Sequence, residues 1–203
     1  MREVGEVTVE TTPLIVGIGG TAAPSSSTEQ ALQLTLAAAE SAGARTQLFG
    51  GAFLARLPLY LTTPPDQSPE CRELIDAVRR ADGVVIASPG YHGSISGLVK
   101  NAIDYLEETA RDPRVYLDGV PVGLIATAYG WQAAANTLAT LRSIVHALRG
   151  WPTPLGAAIN SSGGLFKDGL CENSSVEQQL RLVGRQVTGF VANRFGGPGP
   201  ATP

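Results

Sequence analysis

Lysine is scarce in this chain. Lys100 and Lys167 are the only two among 203 residues, and the other basic residues are arginines. A net charge of -3 and the absence of any Lys/Arg cluster leave no electrostatic footprint for nucleic acid. Cysteine occurs only as Cys71 and Cys171, without CxxC spacing, which argues against a zinc or iron–sulfur site and leaves two reduced thiols as the expectation. No apolar run approaches the ~20 residues that span a bilayer. The leader, with Glu3, Glu6 and Glu10, lacks the basic-then-apolar profile of a signal peptide. A cytoplasmic protein with neither nucleic-acid nor membrane partners is expected.

What is present is a globular composition, 43% hydrophobic and 16% charged, of a length suited to one domain. Residues 14–18 are a short apolar run rich in β-branched side chains and read as a buried strand. Further strands are expected at 46–49, 83–87, 120–126 and 155–159. Helices are expected at 29–42, from the Ser68-Pro69-Glu70 start to Ala81, and at 97–108, 133–148 and 176–193. The alternation predicts an α/β fold of flavodoxin-like, three-layer, doubly wound type, with a five-stranded parallel sheet in the order 2-1-3-4-5. Residues 1–195 read as one domain. The Gly/Pro-rich stretch 196–203 reads as a disordered tail.

In such a fold ligands sit beyond the carboxyl ends of the strands, where strand order reverses. The two richest loops follow strands one and three. Residues 19–28 hold Gly19, Gly20 and the hydroxyls of Thr21, Ser25, Ser26, Ser27 and Thr28, suited to a phosphate at a helix N-terminus. Capping the helix would need one of these hydroxyls, not five. Gly17-Ile18-Gly19-Gly20-Thr21-Ala22 overlaps the GxGxxA dinucleotide fingerprint. The loop is too long for that motif, however, and 47–49 supplies no acid for a ribose. The second loop, 88–96, carries Pro89, Gly90, Tyr91, His92, Gly93 and Ser94. Its glycines permit close backbone approach, and its aromatic residues can flank a flat ring.

From Ser88 to Leu106 the chain closely resembles SPxYxxSxPGxLKNAxDxx, the signature of the NAD(P)H-dependent FMN reductases of the flavodoxin superfamily. Leu57-Pro58-Leu59-Tyr60 is similar to that family's LPLY turn. The resemblance implies FMN as cofactor and NADPH or NADH as electron donor. Gly20, Thr21, Ser26, Ser27 and Thr28 would hold the phosphate, and Pro89, Gly90, Tyr91, His92, Gly93 and Ser94 would meet the ribityl chain and ring edge. Thr127, Ala128, Tyr129 and Gly130 would form a third flavin loop. Three positions depart from the family pattern: Ala23 stands for the usual Arg, Gly90 for Glu and His92 for Asn.

The reading that follows is an oxidoreductase passing hydride from nicotinamide to FMN and then to a small-molecule acceptor: free flavin, a quinone or an azo compound. The flavin carries the chemistry, so no catalytic side chain is named. A dehydrogenase for one biosynthetic intermediate and a non-enzymatic electron carrier are the alternatives, the carrier disfavoured by the modest net charge. The resemblance also implies a homodimer or homotetramer and is compatible with a flavin-dependent monooxygenase partner. His146 is expected to be a partly buried structural residue. Tyr129 and Trp131 suit either a flavin shield or an interface.

Overall fold

The computed structural model describes residues 12–196, with side chains described to Asn193. The acidic leader and residues 197–203 of the expected tail lie outside the described residues. Four long strands, β1 (Leu14–Gly19), β2 (Arg45–Phe49), β3 (Gly83–Tyr91) and β5 (Pro121–Ala128), pair in parallel in the order β2-β1-β3-β5. The fifth place is filled by two short segments, β6 (Trp151–Pro152) and β7 (Ala157–Asn160), each parallel to β5. The interruption has a local cause. Pro154 cannot donate to a ladder, and Leu155 turns aside to donate its N–H to Gln186 Oε1 at 3.1 Å.

β3 and β5 are buried along almost their whole length, as strands covered on both faces must be. Val85 and Ala87 face α1 (Ser27–Ser41) and α6 (Ser174–Gly196). Val84 and Ile86 face α3 (Pro69–Arg80), α4 (Gly97–Asp104) and α5 (Trp131–Ala147). Ser68 caps α3 by accepting from the Cys71 N–H at 3.3 Å. Pro69 occupies its first turn, and Arg79 and Arg80 complement its last.

Several expectations are corrected. The helix expected at 97–108 is α-helical only to Asp104 and then tightens into a 3₁₀ turn, Tyr105–Thr109, which sinks Ile103 and Leu106 into the core. Thr127 and Ala128 belong to a strand, and Trp131 to a helix. His146 is exposed. A helical turn, α2 (Gly51–Leu54), follows β2, and a hairpin of β8 (Phe166–Lys167) and β9 (Leu170–Cys171) precedes α6. Both cysteines are free thiols, Cys71 buried. Among the described residues no helix is long and apolar enough to cross a membrane, and no His/Cys/Asp/Glu group could hold a metal ion.

Candidate functional site

One wall of the site is the segment joining β1 to α1. Its path depends on glycines that let backbone cross backbone. A Cβ on Gly19 would lie 2.1 Å from the Ala87 carbonyl oxygen, and one on Gly51 would lie 1.7 Å from that of Thr21. The Gly51 N–H also donates to Glu29 Oε2 at 2.7 Å, so a carboxylate in the first turn of α1 anchors the neighbouring turn. Ser26 alone caps α1, accepting from the Glu29 N–H at 3.2 Å. Thr21 Oγ1 accepts from the Ala23 N–H, and Ser25 takes a left-handed φ of 53° with its carbonyl accepting from Gln30 Nε2. The hydroxyls of Ser25 and Ser27 are left uncommitted at the start of a 15-residue helix. Beneath them Thr28 Oγ1 and Thr127 Oγ1 share a buried 2.6 Å hydrogen bond that ties α1 to β5.

The facing wall is a regular hairpin where an open loop was expected. β3 continues to Tyr91, turns at His92-Gly93 and returns as β4 (Ser94–Ile95), with Tyr91 paired to Ser94 and Gly90 to Ile95. His92 and Gly93 have φ of 49° and 89°, the two-residue turn that matches strand twist. Ser88 closes its base, accepting from the Ser96 N–H at 3.0 Å and donating to the Pro89 carbonyl. Gly90 lies against α5, where a Cβ would come 2.5 Å from Thr137 Oγ1. That hydroxyl is buried and has no hydrogen-bond partner among the described residues. The stretch behind the hairpin is structural: Asn101 accepts from the Tyr60 N–H and donates to the Pro58 carbonyl, both at 2.8 Å. Tyr105 adds a bond to the same carbonyl, and its burial raises the phenol above its ordinary pKa.

Between the walls lies a cleft of about 480 Å³ at the carboxyl ends of β1, β3 and β5. Of the residues expected at the site, Thr21, Ser26, Ser27, Thr28, Pro89, Gly90, Tyr91, Thr127, Ala128 and Tyr129 line it. Gly20 is buried under Gly51 and Glu29, His92, Gly93 and Ser94 form the outer end of the hairpin, and Gly130 adjoins the start of α5; none of these five lines the cleft. Ala133 and Ser161 do line it and were not expected. Ser161 follows β7, so the rule that ligands gather at strand carboxyl ends would have found it. Among the described residues no charged side chain lines the cleft. The donors available to a phosphate are hydroxyls and the first N–H groups of α1, a set that fits an anion without a cationic partner.

A second hollow, about 390 Å³ beside Arg79 and Arg114, lies away from these loops. Its arginines are committed: Arg79 Nε meets Asp112 Oδ2 at 2.8 Å, and Arg114 Nη1 donates to the Ala81 carbonyl at 2.6 Å.

Among curated proteins, the FMN-dependent NADPH-azoreductase of Staphylococcus aureus is 33% identical over 125 residues, 60% of this chain and 63% of that protein. This chain thus spans less than two thirds of that relative. An oxidoreductase from Corynebacterium diphtheriae shares the fold with a TM-score of 0.68 at 20% identity, covering 90% of this chain and 97% of its own. The flavoenzyme NAD(P)H:(acceptor) oxidoreductase of Paracoccus denitrificans also gives 0.68 at 20% identity, covering 90% and 98%. The model of the NADPH-dependent FMN reductases matches residues 13–163, and the chain belongs to that family.

Proposed function

We propose that the protein is an NAD(P)H-dependent oxidoreductase that uses FMN and passes electrons to a small-molecule acceptor. The observation that carries this reading is the meeting of a hydroxyl-rich helix N-terminus and a glycine-bearing aromatic hairpin on one uncharged cleft. The family and the azoreductase relative support it. When bound, FMN supplies the hydride chemistry.

The chain's own residues bind and orient. Ser25, Ser27 and the N–H groups at the start of α1 would hold the phosphate, with Ser26 and the Thr28–Thr127 bond keeping that end rigid. Thr21 belongs to the same phosphate end, while Gly20 acts by letting the loop pack under Gly51. Pro89, Gly90 and Tyr91 would line the ring and ribityl chain on one side, and Thr127, Ala128 and Tyr129 on the other. His92, Gly93, Ser94 and Gly130 would act by shaping these segments. Tyr91, Tyr129 and Trp131 are exposed near the cleft, at 53%, 86% and 66%, which favours closure of the site by a second copy of the chain. A cytoplasmic place accords with two free thiols.

The test is the visible spectrum of the purified protein after FMN addition, then rapid mixing with NADPH or NADH. A yellow protein bleached by either donor is expected. Failure to bind FMN would overturn the proposal, and bound flavin indifferent to both donors would convert it into a carrier.

A further inference from the structure

A groove of about 490 Å³ adjoins the cleft at Ser25, which lines both. Glu29, Gln30 and Gln33, on the first two turns of α1, form one wall. The other is the β8–β9 hairpin, through Phe166 and the Asp168-Gly169 turn. That hairpin follows residue 163, where the family match ends, so the family does not dictate this wall. Gln30 commits its amide to the Ser25 carbonyl at 2.7 Å, and Glu29 Oε2 holds the Gly51 N–H. The side chains of Gln33 and Asp168 are exposed and make no hydrogen bond or ion pair among the described residues. Phe166 is half-buried and packs against the core. Lys167, beside it in β8, does not line the groove, and among the described residues no other cation does. The ionised side chains bordering cleft and groove together are therefore two carboxylates.

We propose that this groove seats the adenosine end of the nicotinamide donor and selects NADH over NADPH, with Asp168 reading the ribose 2′-hydroxyl; this rests on the FMN-reductase reading above. A carboxylate accepts from a ribose hydroxyl, and an aromatic face beside a carboxamide suits an adenine ring. NADPH differs from NADH only by a phosphate on that hydroxyl. The Gln33 amide and the N–H groups at the Asp168-Gly169 turn can donate to a hydroxyl or to a phosphate alike. The phosphate's charge, however, would stand beside Glu29 and Asp168 with no cation in the groove to offset it. The pyrophosphate is common to both donors and cancels in the comparison. The preference departs from the NADPH in the azoreductase relative's name.

The experiment uses the FMN-loaded protein and two readouts. Adenosine diphosphoribose and its 2′-phosphate, which carry no nicotinamide, are titrated by calorimetry. Bleaching of the flavin by NADH and by NADPH is timed by rapid mixing. The ligand without the 2′-phosphate is expected to bind about tenfold tighter, and the second-order rate of bleaching to favour NADH by a similar factor. Gln33→Arg adds a cation at an exposed helical position and is expected to shift both ratios toward the 2′-phosphate by about tenfold. Asp168→Asn keeps a residue that tolerates the left-handed φ of 49° and is expected to shift them several-fold in the same direction. The two variants lie on opposite walls, so loss of fold in one leaves the other to decide. NADPH used as well as NADH by the unmodified protein, or ratios indifferent to both variants, overturns the proposal. Protein that never binds FMN, or whose flavin neither donor bleaches, removes the underlying reading instead. Adenosine diphosphoribose binding that still responds to Gln33→Arg in such a protein would mark a nucleotide site with no donor role, which also overturns it.

Discussion

The two walls of the cleft are stiffened by opposite means. The first, centred on residues 20–26 between β1 and α1, has neither helix nor strand there and is held by interlocking: Gly19 passes the Ala87 carbonyl, and Gly51 passes Thr21, at distances no side chain permits. The second, residues 88–96, is held by regularity: a two-residue hairpin turn, strand pairing and the Ser88 hydroxyl at its base. An interlocked wall has no spare room and should fail abruptly. A hydrogen-bonded wall can lose one bond and keep its shape.

That contrast can be broken at Gly51. Gly51→Ala drives a methyl into the Thr21 carbonyl and is expected to cost ~3 kcal/mol or more together with flavin binding, read by thermal melting and flavin titration. Asn101→Ala removes two bonds to the 57–60 turn, leaving the half-buried Tyr60 N–H unpaired and the Pro58 carbonyl held by Tyr105 alone. About 2–3 kcal/mol is expected, measured by urea unfolding, with FMN affinity changed far less than by Gly51→Ala. Ser88→Ala should be milder still, ~1–2 kcal/mol, because the hairpin turn survives; its signature is faster hydrogen exchange at the Ser96 amide.

The smallest effect concerns the support behind the hairpin. Burial raises the pKa of Tyr60 and of Tyr105, so the folded state favours the neutral phenols. The stability they contribute is fully present below the ordinary tyrosine pKa of about 10 and is lost as pH rises beyond it. Tyr105→Phe should flatten the alkaline fall in urea midpoint relative to the unmodified protein.

Strand and helix placement was legible wherever burial alone decides it. The apolar runs at 14–18 and 83–87 and the Ser68-Pro69 cap lie where their chemistry puts them. The hairpin was hidden because a His-Gly turn is a weaker signal than Asn-Gly, and because Ser88, Pro89 and Gly90 look like a connector. The Asp168-Gly169 turn was a readable signal that went unread; its φ values of 49° and 79° are those the dipeptide favours. At the site, the hydroxyl cluster was legible as chemistry but not as a division of labour. Only three-dimensional packing shows that Ser26 is spent on the helix, that Thr28 is spent on Thr127, and that Ser25 and Ser27 remain. The partnerless Thr137 hydroxyl behind Gly90 has no trace in sequence, because the two residues are brought together by α5 packing on β3.

The interrupted outer strand bears on how copies of this chain can associate. The amides of Trp151 and Thr153 point inward, donating to Val120 and Val122 at 2.8 and 2.9 Å. Strand alternation then turns positions 152 and 154 outward, and both are proline. The rim of the sheet thus offers no N–H at the two places where an incoming strand would look for one, and growth of the sheet by strand addition is blocked there. At this rim a second copy of the chain could dock only through side chains, which makes recognition there specific and reversible.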